Sequence, residues 1–169
     1  ENSNVKWVTY LSATSVYGDH KGKWVNEKSE TKPSSVNGLE RLAVEKLWMT
    51  SYLNKNLPLQ IFRLSGIYSN QNNILTKLQT GNAKIVNKKN HLFSRIHVED
   101  IANILFQSLI KFRPGEIFNI SDDKPASSKD IILYGVKILS IEKPKIIEIK
   151  DLENKILKNF YKESKKVSN

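Results

Sequence analysis

The chain has no cysteine in its 169 residues. That excludes a disulfide framework and any thiolate metal site. Its three histidines are scattered, so no zinc or other metal site is expected. No apolar run approaches the ~18 residues that a membrane-spanning helix needs. The opening Glu1-Asn-Ser-Asn4 has neither a basic n-region nor an apolar h-region, so no secretory leader is expected there. Together these absences favour a cytoplasmic protein without membrane contact. Glycine is also scarce: the seven glycines stand apart, none clustered with another. No internal repeat or low-complexity tract is present.

What is there is ordinary for a globular protein: 39% apolar and 26% charged residues, enough for one domain with a real core. The net charge of +10 raises the question of a polyanion partner. The lysines, however, are spread along the chain among Glu and Asp, and no nucleic-acid-binding motif accompanies them. The charge therefore reads as biased composition, and a nucleic-acid partner is not expected.

The stretch Lys6–Asp19 organises the rest. Residues 6–12 read as a buried strand, which then breaks into small hydroxyl residues, Tyr17, Gly18 and Asp19. In open α/β sheets, ligands sit at the carboxyl edge of such strands. Residues 13–36 read as a long loop whose Trp24 and Val25 fold back onto the protein. The periodicity predicts a helix over about 38–54, ended by Asn54, Asn56 and Pro58, and a buried strand over 59–64. Residues 65–73 read as polar loop, and Ile74 to Thr80 as a short helix capped by Gly81-Asn82. Segments 83–86 and 91–96 suggest a hairpin around Asn87–Asn90. A helix over 98–111, with Glu99 and Asp100 in its first turn, is the clearest element. A strand over 116–120, a turn with Asp122 and Asp123, and a helix to about 139 capped by Ser127 or Ser128 follow. A short strand at 146–149 and a basic amphipathic helix over about 151–163 complete the pattern. Alternating strands and helices indicate an α/β fold with a mostly parallel sheet.

Five segments in order carry a family likeness. They are Leu11–Gly18, Leu42-Ala-Val-Glu45, Arg63-Leu-Ser-Gly-Ile-Tyr68, Arg95-Ile-His-Val-Glu-Asp-Ile-Ala102 and Ile117–Asp123. Over about residues 6–125 the chain resembles the extended short-chain dehydrogenase/reductases, in their atypical NAD-dependent epimerase/dehydratase, nucleoside-diphosphate-sugar epimerase branch. The resemblance implies an incomplete Rossmann-like, doubly wound sheet: the C-terminal half of the NAD(P)-binding domain over 1–82. Small α/β substrate-domain segments occupy 83–169, with 98–121 returning to the sheet. The chain is read as a fragment. Whole, such a protein binds NAD or NADP and perhaps a nucleotide sugar. The glycine-rich turn that lets backbone approach the pyrophosphate has no counterpart among these scattered glycines. The cofactor is therefore not expected to bind tightly to this chain alone.

The resemblance also locates the family's Ser/Thr–Tyr–Lys triad. Its positions fall on Ala13, Asn37 and Arg41. Alanine cannot hydrogen-bond, asparagine cannot exchange a proton near neutral pH, and arginine is not a like-for-like lysine. Ser12 or Thr14 supplies a hydroxyl if the register moves by one residue. Independent oxidoreductase activity is not expected; the other open reading is a nucleotide-sensing or protein-interaction module.

For cofactor contact the candidates are Tyr17, Arg41, Ser65, Gly66, Ile67 and Tyr68. Tyr17 either lines the site or packs under the loop. For substrate contact the candidates are Arg95, whose guanidinium suits a phosphate, and His97, for which a structural capping role is the competing reading. Arg63 is expected in an ion pair. Half of a doubly wound sheet leaves an uncovered edge, so either a dimer or docking to a missing N-terminal half is expected.

Overall fold

The computed structural model describes residues 4–169. Most of the opening segment read as lacking a leader, Glu1–Ser3, lies outside the described residues. In chain order the elements are β1 (Val8–Ala13), a 3-10 turn (Thr14–Tyr17), β2 (Trp24–Val25), α1 (Val36–Lys55), β3 (Leu59–Leu64), β4 (Gly66–Tyr68) and α2 (Ile74–Gln79). Then come β5 (Ile85–Val86), β6 (Arg95–His97), α3 (Val98–Ile110), β7 (Ile117–Ile120) and α4 (Ser128–Leu139). The chain closes with β8 (Ile146–Ile147), a 3-10 turn (Ile149–Asp151), α5 (Lys155–Lys162) and β9 (Lys166–Val167).

The main sheet is parallel, in the order β1-β3-β7. All six residues of β3 are buried, as a central parallel strand covered on both faces demands. Successive side chains alternate faces. Phe62 and Leu64 join Ile96, Ile101 and Ile120, with Ile104 and Leu105 of α3 packed against them. Each such side chain contributes about 1.5–3 kcal/mol on burial. On the other face, Arg63 meets Glu45 of α1, and Tyr10 of β1 packs on Trp48. The α/β class with a parallel, Rossmann-like sheet is as expected.

Local chemistry sets the helix ends. The Ser35 hydroxyl accepts from the Gly38 N–H to open α1, and Asn56, at φ 53°, closes it. A Cβ on Gly38 would lie 2.9 Å from the Ser15 carbonyl oxygen. The start of α1 therefore presses directly on the turn after β1, and only glycine permits that approach. Ser127 caps α4 by accepting from the Asp130 N–H.

A second core lies beside the sheet. Leu78 of α2 packs with Ile132 and Val136 of α4 and with Ala83 and Ile85. A third cluster joins Val86, Leu152 and Tyr161. The tail returns to the sheet's carboxyl edge, where β9 pairs in parallel with β2.

Four local expectations change. The 83–86/91–96 hairpin does not form: β5 pairs in parallel with β8, and β6 with β4. Asn90, at φ 56°, does turn the chain. Ile85 and Ile96 are then drawn into two different cores, and tertiary burial decides the pairing. Residues 66–68, read as loop, form β4 for the same reason, since β6 offers a partner. The last helix is shorter than read, because Glu148 and Asp151 form a reciprocal cap on a 3-10 turn and α5 starts only at Lys155. Of the pair in the long loop, Val25 is buried but Trp24 stays 53% exposed, with Lys166 over its ring.

Candidate functional site

The carboxyl ends of β1, β3 and β7 converge on one edge, and beneath it lies a closed polar network. Glu45, 3% exposed, is carried by α1 to the sheet. It accepts from the Ser12 hydroxyl at 2.6 Å and from Arg63 Nη2 at 2.7 Å and Nε at 3.1 Å. Arg63 Nη1 donates to the Tyr17 hydroxyl at 3.0 Å, and that hydroxyl donates to Asn119 Oδ1 at 2.8 Å. Asn119 Nδ2 donates in turn to the Ser168 carbonyl in the tail, while its backbone N–H donates to Glu27. One chain of bonds thus ties β1, α1, β3, β7, the long loop and the tail.

The electrostatics follow from this closure. Burial alone would push the Arg63 guanidinium's pKa down, but the bonds it donates to Glu45 and Tyr17 outweigh it and hold the group more firmly protonated than usual. Burial pushes the Tyr17 hydroxyl up, against the opposing pull of Arg63. Burial and the Asp122 carboxylate also push Tyr68 up. A tyrosine that exchanges protons near neutral pH needs the opposite shift. Neither tyrosine at this edge has it.

The sequence candidates land as follows. Ser12 is 2% exposed and committed to Glu45. Ala13 ends β1 opposite Leu64, and Thr14 opens the 3-10 turn, half-buried. Tyr17 has no exposed surface. Asn37 and Arg41 lie exposed on the first turns of α1. Ser65 is buried, and its hydroxyl finds no partner among the described residues. Gly66 and Ile67 are exposed in β4, and Tyr68 packs edge-on to His97 at 5.0 Å. The Arg95 guanidinium lies over the Phe93 ring at 3.8 Å, with Nη2 buried and unpartnered among the described residues. Burial pushes its pKa down to about 10, with Asp122 and Tyr68 opposing. The His97 ring nitrogen accepts from the Glu99 N–H at 3.4 Å and so caps α3. Arg63 sits in the ion pair expected of it.

The structure therefore gathers Ser12, Tyr17, Ser65, Tyr68, Arg95 and His97 at one edge. It leaves Asn37 and Arg41 on the outer helix surface. Two members of the network, Glu45 and Asn119, were not singled out as site residues. The available signal was a glutamate on the apolar face of a helix followed by an arginine inside a buried strand, two charges that can enter a core only together.

Residues 1–121 match the family model described as NAD dependent epimerase/dehydratase family. The chain belongs to this family. Its fold agrees with solved structures. A functionally unknown conserved protein from Silicibacter pomeroyi is 38% identical, with a TM-score of 0.88 over 97% of this chain and 57% of that one. UDP-glucuronic acid 4-epimerase from Bacillus cereus, solved with UDP-glucuronic acid and NAD, is 22% identical, with a TM-score of 0.74 over 84% and 48%. dTDP-glucose 4,6-dehydratase from Bacillus anthracis, solved with NAD, is 18% identical, with a TM-score of 0.74 over 83% and 49%. No curated protein matches. The chain thus spans about half the length of the solved structures it resembles. Among its described residues, no helix is long and apolar enough to cross a membrane.

Proposed function

We propose that this chain supplies the carboxyl-edge half of a nucleotide-binding crevice of nucleotide-sugar type and does not itself transfer hydride. The observation that carries this reading is the fate of the hydroxyls. The family position is Ala13, the neighbouring Ser12 is sealed against Glu45, and Tyr17 is buried beneath the edge. The other two triad positions, Asn37 and Arg41, carry no group that can pass a proton near neutral pH. NAD or NADP belongs to the completed fold. Ser65, Gly66, Ile67 and Tyr68 would line its reactive end, while the phosphate-binding glycine turn must come from elsewhere.

The same reading assigns a docking role to β1. Among the described residues its only sheet neighbour is β3, so one row of its backbone donors and acceptors stays unpaired there. The remainder of the fold, in the same chain or another, or a second copy, would cover that row. Val36, Leu39, Leu47 and Leu53 on α1 are all more than half exposed, which supports self-association.

Calorimetric titration of residues 1–169 with NAD and NADP tests the first part. No saturable binding in the micromolar range is expected, and a micromolar dissociation constant would overturn it. Light scattering tests the second, for which a monodisperse monomer at high concentration is the contrary result.

A further inference from the structure

Residues 163–169 run as a strap across the carboxyl edge of the sheet. The Val167 N–H donates to the Ser94 hydroxyl, the Ser168 carbonyl accepts from Asn119 Nδ2, and Asn169 Nδ2 donates to the Ser121 carbonyl. The root of the strap is Ser164. Its N–H donates to Asp19 at 2.9 Å, and its carbonyl accepts from the His20 and Gly22 N–H groups. Its hydroxyl donates to the Asn90 carbonyl and accepts from the Leu92 N–H, both at 3.0 Å. Those two residues flank His91, so the strap is fastened on either side of that ring.

His91 is a buried base inside this fastening. Only 1% of it is exposed, and its ring packs on Phe160 and Tyr161 of α5, with centroids 4.8 and 4.9 Å away, and on Phe93 at 5.7 Å. Nε2 lies 3.0 Å from the Phe160 carbonyl. A carbonyl only accepts, so Nε2 carries the proton of the neutral ring and Nδ1 is a bare lone pair. Nδ1 is buried and has no hydrogen-bond partner among the described residues. A second proton would therefore put a charge and an unanswered N–H among aromatic rings. The groups around the ring do not relieve this. Lys88 on the turn and Lys165 on the strap repel a proton, while the Phe160 and Glu163 carbonyls favour it without offsetting burial. The Glu163 carboxylate is engaged by Lys165 and Ser34, and the Tyr161 hydroxyl donates to Ser128.

We propose that His91 is a pH-sensitive latch: its protonation parts α5 and the strap from residues 90–92 and shifts the strap to an open form that uncovers Asn119 and Ser121. The open form takes up the proton at the ordinary value of 6.5, and the closed form only at lower pH. Each pH unit below that value therefore favours opening by up to about tenfold. The neighbouring Asp19 does not titrate in this interval. Burial would raise its carboxyl, but the bonds from the Lys21 and Ser164 N–H groups outweigh it and hold the group below the ordinary 3.8.

The test is amide hydrogen exchange on the whole chain at about pH 7.5 and pH 5.5, with rates corrected for intrinsic exchange. Protection of the Ser164, Lys165, Val167 and Ser168 amides should fall about tenfold, while Ile61 and Phe62 in β3 keep theirs. His91→Phe should hold the strap's protection equal at both pH values. His20→Gln, on the neighbouring turn, is the control and should leave the fall unchanged. Ring-carbon shifts of His91 in the native protein supply a readout that needs no variant, and the ring should titrate below 6.5. Protection that is retained at the lower pH, or lost from the strap and β3 alike, would overturn the latch. So would a fall that persists in His91→Phe or disappears in His20→Gln, or a native ring that titrates at 6.5 or above.

Discussion

Two polar regions of this molecule are built on opposite terms. Under the β1-β3-β7 edge, Glu45, Arg63, Tyr17, Asn119 and Ser12 are buried and spend their bonds on one another. Around a cleft between the Lys21-Gly22 turn, β5 and the first turn of α4, Lys21, Lys88, Lys89 and Lys129 are exposed and have no carboxylate within 4.0 Å among the described residues. A closed network specifies a structure and leaves little for a ligand. An open set of like charges repels itself and gains by receiving an anion. The edge proposed above as half of a nucleotide-binding crevice is the closed one.

The largest expected effect comes from breaking that closure on one side. Glu45→Ala leaves the Arg63 guanidinium buried without its carboxylate and should cost about 3–5 kcal/mol. That is a large part of a typical folding stability of about 5–15 kcal/mol. Replacing both partners together, as Glu45→Leu/Arg63→Met, should cost much less than the single change, because no charge is then stranded. Urea denaturation of the single and double variants measures this. A double-variant loss as large as that of Glu45→Ala, or larger, would mean that a stranded charge is not what the single change costs, and the contrast between closed and open regions would fail on its stronger side.

Much of this was legible in the chain itself. The mostly apolar Leu59–Leu64 announced a short buried strand, and the arginine inside it announced an ion pair. Val98–Ile110 showed its helical period with acids in the first turn. The residue types at Ala13, Asn37 and Arg41, proposed above as the triad positions, could be read without coordinates. The short parallel pairs could not. β5, β8, β4 and β6 are two or three residues each, and their partners are chosen by which core takes Ile85 and Ile96. The lysine cleft was hidden for a related reason. Lys21, Lys88–Lys89 and Lys129 lie far apart in sequence, so each looked like one more scattered charge until the fold gathered them. Ser12 illustrates the converse: as a residue type it offers a hydroxyl, and only its 2.6 Å bond to Glu45 shows it engaged.

A smaller effect probes the middle of the network. Tyr17→Phe removes the hydroxyl that receives from Arg63 and donates to Asn119, leaving both with an unfilled bond in a site without solvent. The expected cost is about 1–3 kcal/mol, read as a lower denaturation midpoint with an unchanged slope. A neutral result would show that water or a rearranged Asn119 fills the gap, and the region would be less closed than the bonds suggest.

The smallest effect is a pH dependence at the border of the two regions. His91 is 1% exposed, stacked among Phe93, Phe160 and Tyr161. One of its ring nitrogens bonds the Phe160 carbonyl at 3.0 Å. Burial holds its pKa below the ordinary 6.5, with Lys88 and Lys165 adding repulsion and the Phe160 and Glu163 carbonyls opposing. The unfolded chain therefore takes up a proton before the folded one does. Stability from this group is fully present above the unfolded value of 6.5 and is lost as pH falls from there toward the lower folded value. Melting temperature should drop between about pH 7.5 and pH 5.5 in the native protein. His91→Phe, which keeps the aromatic packing without the titrating nitrogen, should show a smaller drop over the same interval. A pH dependence that is the same in His91→Phe would place the titrating group elsewhere.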